Sequence, residues 1–166
     1  VAYRNKTYVC FDGDEDIRYY RLMTVWKASG NSSFNFHDAH DLNSARDTSA
    51  EESIKRQLRE RFENSKLFIV LIGEKTKGLK KFVKWEMEVA LRLGLPIVAV
   101  NIDGSRCRTD LCPPTIRDEL AIHIPFGQKI IQYAMDHWPE AHAIYVKQGE
   151  TGPYEYKANV YRELGI

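Results

Sequence analysis

Two nearly continuous apolar runs dominate the hydropathy pattern, Lys66-Leu-Phe-Ile-Val-Leu-Ile-Gly73 and Leu95-Pro-Ile-Val-Ala-Val-Asn-Ile102. Runs of this length, rich in Ile and Val, predict strands buried on both faces. Between them Lys80–Leu93 lacks Gly and Pro and is closed by Gly94, the residue type preferred just past a helix end. Strand, helix and strand of these lengths predict a right-handed crossover with parallel strands.

The rest of the chain repeats the alternation. Lys6–Phe11 reads as a first strand, followed by the turn Asp12-Gly13-Asp14, which also offers an N-cap. A helix is predicted over Glu15–Ser29, with Ile17, Tyr20, Leu22, Met23, Val25 and Trp26 as a broad apolar surface. Ser33–Phe36 alternates as a short strand and leads into a polar loop reaching Asp47. Thr48 and Glu51 have capping-box spacing, and Ile54, Leu58 and Phe62 form one stripe beyond them. After a loop containing Pro113-Pro114, Ala121–Ile124 reads as a fifth strand closed by Pro125. From Gln128, residues Ile130, Ile131, Ala134, Met135 and Trp138 mark an amphipathic helix. In the tail, Ala143–Val146 reads as a small extra strand and Pro153 as the start of a last helix through Leu164. The predicted class is α/β: a doubly wound, mainly parallel five-stranded sheet with helices on both faces. It is read as a single domain over 1–166, with a core of 6–138 and a C-terminal extension of 139–166.

Composition changes this picture little. With 166 residues, 43% hydrophobic and 28% charged, the chain has the make-up of one globular domain. A net charge of +1 gives no global argument for nucleic-acid binding. The cations Lys55, Arg56, Arg59 and Arg61 have no interleaved aromatic residues and read as a solvated face. No apolar run is long enough to cross a bilayer, and the opening Val-Ala-Tyr has no signal-peptide pattern, so a cytoplasmic location is expected. Cys10, Cys107 and Cys112 cannot all pair and lack zinc-site spacing; reduced thiols are expected, Cys10 in a buried strand.

The candidate chemistry starts at Glu86. Advancing about 100° per residue gathers Lys81, Lys84, Glu88 and Arg92 on an outward face. Phe82, Val89, Ala90 and Leu93 gather opposite them, and Glu86 is the one charged residue among these. An ionised carboxylate facing a dry core is costly unless paired. Glu86 therefore reads either as a group over a cleft at the sheet's carboxyl edge, where ligands of open α/β sheets bind, or as a salt-bridged structural glutamate. Several known chemistries are excluded. The third strand ends Leu71-Ile72-Gly73, without the aspartate a phosphoacceptor receiver needs. No Gly-rich dinucleotide turn follows the first strand, and neither a P-loop nor a Gly-x-Ser-x-Gly elbow is present. His37, Asp38, His40 and Asp41 are metal-ligand types, but an exposed polar loop is the favoured reading. What remains is a cleft built from Phe11–Asp14, His37–Asp47, Ile72–Gly78 and Glu86. Carboxylates there suit cleavage of an N-glycosidic bond, by stabilising an oxocarbenium ion or holding ribose hydroxyls.

The pattern Phe68-Ile-Val-Leu-Ile-Gly73-x-x-Thr76, a basic loop, Phe82-Val-Lys-Trp85-Glu86-x-x-x-Ala90 and Gly94-x-Pro96-Ile-Val-Ala-Val resembles the prokaryotic TIR-like domains. The closest group is the TIR proteins of Thoeris antiphage systems, which Asp38–Arg46 also fits; the similarity spans about Lys6–Ile124. The resemblance implies a flavodoxin-like fold and an enzyme that consumes NAD as substrate, with no resident cofactor and no metal. It further implies release of nicotinamide, an ADP-ribose-derived and in some cases cyclic signal nucleotide, and a separate effector that this nucleotide activates. Self-association through TIR–TIR contacts is implied as well. The family's catalytic glutamate corresponds to Glu86, while the tryptophan four residues before it is Phe82 here, which keeps aromatic packing but loses the indole donor. Phe11, Asp12 and Asp14 match the loop that lines the nucleotide site. Asn43, Ser44 and Arg46 match the loop that gates it or makes TIR–TIR contacts; Arg46 reads either as a pyrophosphate partner or as a salt bridge to Asp41 or Asp47. Two other readings stand beside this one: a non-catalytic TIR interaction module, and a nucleoside deoxyribosyltransferase-like enzyme.

Overall fold

Strands at Thr7–Cys10 (β1), Phe36–His37 (β2), Leu67–Ile72 (β3), Ile97–Asn101 (β4), Ala121–Pro125 (β5) and Pro153–Glu155 (β6) form one sheet in the computed structural model. The structure describes residues 6–13, 15–29, 36–37, 51–78 and 82–166. Strand order is β2-β1-β3-β4-β5-β6, and each neighbouring pair is parallel. Helices Ile17–Ala28 (α1), Glu51–Glu63 (α2), Phe82–Arg92 (α3), Gln128–Lys147 (α4) and Ala158–Leu164 (α5) flank it. The α/β, doubly wound, flavodoxin-like reading holds, with a sixth strand beyond the five expected.

Alternation along the strands divides the core. Cys10, Val70 and Ala99 lie in one buried cluster with Ile54, Leu58 and Phe62 of α2 and with Phe82, Met87 and Ala90 of α3. Val9, Ile69 and Val100 lie in the other, with Tyr20 and Met23 of α1, Ile131 and Trp138 of α4, and Tyr161 of α5. The central strands β3 and β4 are buried at every position, in keeping with sequences apolar throughout except for Asn101 at the end of β4. Cys10 and Cys112 are buried and Cys107 is exposed.

Several expectations are corrected. Ala143–Val146 is not a strand but the last part of α4, which runs through Pro139. Pro139 removes one helical hydrogen bond, yet the buried stripe continues past it to His142, so packing carries the helix onward. Pro153 opens the edge strand β6 rather than a helix, a position where its missing N–H is tolerated. Leu93 is 49% exposed instead of buried, because the chain turns at Gly94 (φ 66°) and Leu95 re-enters the core in its place. On α1 only Tyr20 and Met23 are buried, while Leu22 and Val25 face outward. The N-cap of α1 is Asp16, not the Asp12–Asp14 turn. Part of the second strand, the Thr48 cap and the loop from Asp38 lie outside the described residues. No described helix is long and apolar enough to cross a membrane.

His123 gives the sheet a pH dependence. It sits on β5 with no exposed surface, and neither ring nitrogen has a hydrogen-bond partner among the described residues. Burial, aided by the Arg108 charge, pushes its pKa down from 6.5 to about 4. The unfolded chain therefore binds the proton first. Stability is intact above 6.5 and is lost as pH falls toward 4, by up to about 3 kcal/mol for a displacement of this size. His123→Leu should flatten the acid limb of a urea-unfolding series between pH 7 and 4.5. An unchanged acid limb would clear His123 of this role.

Candidate functional site

In a sheet of this order the chain leaves β1 in one direction toward β2 and returns in the other to β3. The crevice between the loops after β1 and β3 is thus the topological switch point, where ligands of open α/β sheets bind. Packing and hydrogen bonds anchor both loops. Phe11 is fully buried and stacked on Tyr20 at 4.5 Å, which anchors the chain as it leaves β1. Asp12 follows, 6% exposed, and its carbonyl accepts the Asp16 N–H at 2.9 Å. Across the crevice the Gly73 N–H donates to Thr76 Oγ1 at 2.8 Å, fixing the loop after β3.

Asp16 joins the two loops. As N-cap of α1 it would ordinarily accept a hydrogen bond from its own helix, yet its side chain makes no capping bond. The carboxylate lies instead against Gly73: a Cβ there would stand 2.5 Å from Asp16 Oδ2 and 2.7 Å from Oδ1. Only glycine leaves this approach open. Asp16 is 6% exposed, and its Oδ2 receives no hydrogen bond among the described residues. Burial first, then the charges of Asp12 and Glu15, push its pKa up from 3.8 to about 6, against the weaker opposing pull of the Thr76 hydroxyl and Arg18. A cleft of about 310 Å³ opens beside it, between Gly73, Glu74 and Lys75 after β3 and Ile102 and Asp103 after β4. Asp16 was not among the expected site residues. The signal for it was a glycine ending an apolar strand opposite an acidic helix start, and each half has a commoner meaning of its own.

Glu86 lies in the second turn of α3, with Phe82, Val83, Met87 and Ala90 as its buried companions on the helix. It has no exposed surface, so it faces the interior and does not line the cleft beside Asp16. Phe82 is 6% exposed and packs in the same cluster as Ile72 and Cys112. Lys84 and Glu88 are exposed on the far side of α3, as the helical wheel requires. Of the expected nucleotide-site residues, Phe11, Asp12, Phe82 and Glu86 are described; Asp14, Asn43, Ser44 and Arg46 lie outside the described residues. Phe11 and Asp12 directly follow β1 but neither lines the cleft beside Asp16, Phe11 lying buried in the α1-side cluster, while Phe82 lies in the cluster of α2 and α3 and Glu86 is buried on α3.

A carboxylate held this way costs stability. The Asp16 pKa is higher folded than unfolded, so its contribution is fully present below 3.8 and is lost as pH rises through about 6. Asp16→Asn should therefore stabilise the protein at pH 7.5, by on the order of 2–3 kcal/mol for a two-unit displacement. The gain should vanish near pH 4. Urea unfolding of both proteins at the two pH values tests it, and a variant less stable at pH 7.5 would show Asp16 to be a structural acceptor.

Residues 8–107 match the family described as Thoeris protein ThsB, TIR-like domain. The match takes in β1 to β4, both loops of the switch-point crevice and the helix that carries Glu86. This chain belongs to the ThsB TIR-like family of Thoeris antiphage defence.

Proposed function

We propose that the chain is an NAD-processing enzyme that cleaves the bond between nicotinamide and ribose and turns the ADP-ribosyl unit into a signal nucleotide. One observation carries this reading. Glu86 is the one charged residue among the buried positions of α3, and it stands where the resemblance puts the family's catalytic glutamate. A carboxylate in a low-dielectric surrounding acts strongly on developing positive charge. In the proposed reaction the C1′–N bond breaks and nicotinamide leaves with the electron pair. The ribosyl carbon becomes oxocarbenium-like beside the Glu86 carboxylate, and water or an internal nucleophile of the ADP-ribosyl unit then captures it. Capture from within gives a cyclic nucleotide. NAD is consumed, so no resident cofactor enters, and the product reaches a separate effector by diffusion. Self-association through TIR–TIR contacts completes the proposal, joining copies on activation.

Mass spectrometry of nucleotides formed from NAD by the activated protein tests the reading directly. Nicotinamide with an ADP-ribose-derived product in equal amount supports it; intact NAD after activation argues against it. The complete burial of Glu86 favours a second reading, a non-catalytic TIR interaction module in which the glutamate is structural. That reading expects self-association without turnover.

A further inference from the structure

We propose that the cleft between the loops after β1, β3 and β4 binds a small organic cation bearing N–H donors, an amine or a guanidinium compound, with Asp16 as its charge partner. The inference does not rest on NAD cleavage, because Glu86 does not line this cleft and α3 packs on the opposite face of the sheet from α1.

The first argument is the Asp16 carboxylate. It lines the cleft, is 6% exposed, and keeps an oxygen without a hydrogen-bond donor among the described residues. An ionised carboxylate only accepts, so its complement is a donor, and a charged donor makes the shorter and stronger bond. Net charge is the second. Glu15, Glu74 and Asp103 line the same cleft, against Arg18 and Lys75. Both cations are already engaged: Lys75 Nζ donates to Glu15 at 2.6 Å, and Arg18 lies over the Tyr19 ring at 4.8 Å and donates to its hydroxyl at 3.1 Å. The remaining field repels phosphate and attracts cations. The third is shape. Ile102 and Leu111 give the cleft apolar walls for a ligand's methylene body, and about 310 Å³ is the size of a small-molecule site.

Each neighbouring element bears on the Asp16 proton. Asp12 and Glu15 precede it, Arg18 follows on α1, Thr76, Glu74 and Lys75 face it from the loop after β3, and Asp103 faces the cleft from the loop after β4. The cation competes with that proton, so with the carboxyl titrating near 6, affinity should fall about tenfold between pH 7.5 and 5.

Calorimetric titration of the full chain with n-butylguanidinium, its neutral isostere n-butylurea and inorganic phosphate tests the proposal, with the Gly73 amide followed by NMR to locate binding. Butylguanidinium should bind at pH 7.5 and shift Gly73; butylurea and phosphate should bind at least tenfold more weakly. Asp16→Asn should weaken butylguanidinium at least tenfold while melting at or above the wild-type temperature. Equal affinity for butylurea, preference for phosphate, no binding of butylguanidinium at tens of millimolar, or unchanged binding by a folded Asp16→Asn protein would each overturn it. A capped Gly-Gly-Arg-Gly-Gly peptide that binds where butylguanidinium does not would also overturn it, by assigning the cleft to a partner protein's side chain. Absence of NAD turnover leaves all these outcomes unchanged, so the two proposals fail separately.

Discussion

Glu86→Gln is expected to lower NAD cleavage by about a hundredfold or more, the scale seen when one group stabilising a transition-state charge is removed. The amide keeps the size of the side chain and much of its hydrogen-bonding capacity, so the loss reports the charge. Because Glu86 has no exposed surface, its field is little screened by water, and nothing in bulk solvent can replace it. Folding should survive, since a neutral group of the same shape does not raise the desolvation burden of a buried site. Glu88→Gln provides the control. Glu88 is exposed and 3.9 Å from Lys84, a surface pair whose loss is worth well under about 1 kcal/mol, so activity and stability should stay nearly unchanged. Turnover per folded molecule, measured by nicotinamide release with the folded fraction taken from circular dichroism, separates the outcomes. An unfolded Glu86→Gln protein with normal turnover in its folded fraction would make Glu86 a structural ion-pair partner and favour the interaction module.

The two central strands and the helix between them were legible in the sequence because they satisfy one strong constraint each. A strand buried on both faces must be apolar throughout, and β3, Leu67–Ile72, is the run Lys66–Gly73 without its two end residues. The inward and outward faces of α3 were equally legible, down to Glu86 on the buried side and Lys84, Glu88 and Arg92 on the other. Where two signals competed, the sequence reading failed. Ala-Ile-Tyr-Val at 143–146 has strand-like side chains, but it continues a helix whose buried stripe began at Ile130. Leu22 and Val25 are apolar and sit on an amphipathic-looking helix, yet they face outward, because which arc of α1 meets the sheet is decided by tertiary packing. Asp16 was illegible for a different reason. An aspartate at a helix start reads as a cap, and only the approach of Gly73, distant in sequence, reveals that the carboxylate does something else. The site's long-range half cannot be read from local pattern.

Trp138→Ala should cost about 3–5 kcal/mol, the range for truncating a large buried aromatic side chain. The residue decides whether the stretch beyond the family match is an appendage or part of one core. The match ends at residue 107, but β5 continues the sheet by pairing along β4, and Val98 and Val100 share a buried cluster with Ile122, Ile124 and Ile131. Trp138 lies in that cluster, 2% exposed, with Tyr154 of β6 at 5.9 Å and Tyr145 at 6.1 Å between ring centroids. Tyr145 and Tyr154 stack on each other at 4.5 Å, so the tryptophan and this pair hold the edge strand against α4. Removing the indole leaves a cavity under β6 while Ile131 and Met135 below it still belong to the main core. The whole unfolding transition should therefore shift to lower urea with its slope retained, which is the signature of lost stability in one cooperative unit. Trp138→Phe should lose less than half as much, since it keeps a packed ring and removes an indole N–H that has no partner among the described residues. Circular dichroism is the suitable probe, because Trp26 and Trp85 alone would carry the remaining tryptophan fluorescence. A biphasic transition, with an early step confined to the C-terminal elements and an unshifted main step, would show instead that 139–166 folds as an appendage on a core complete without it.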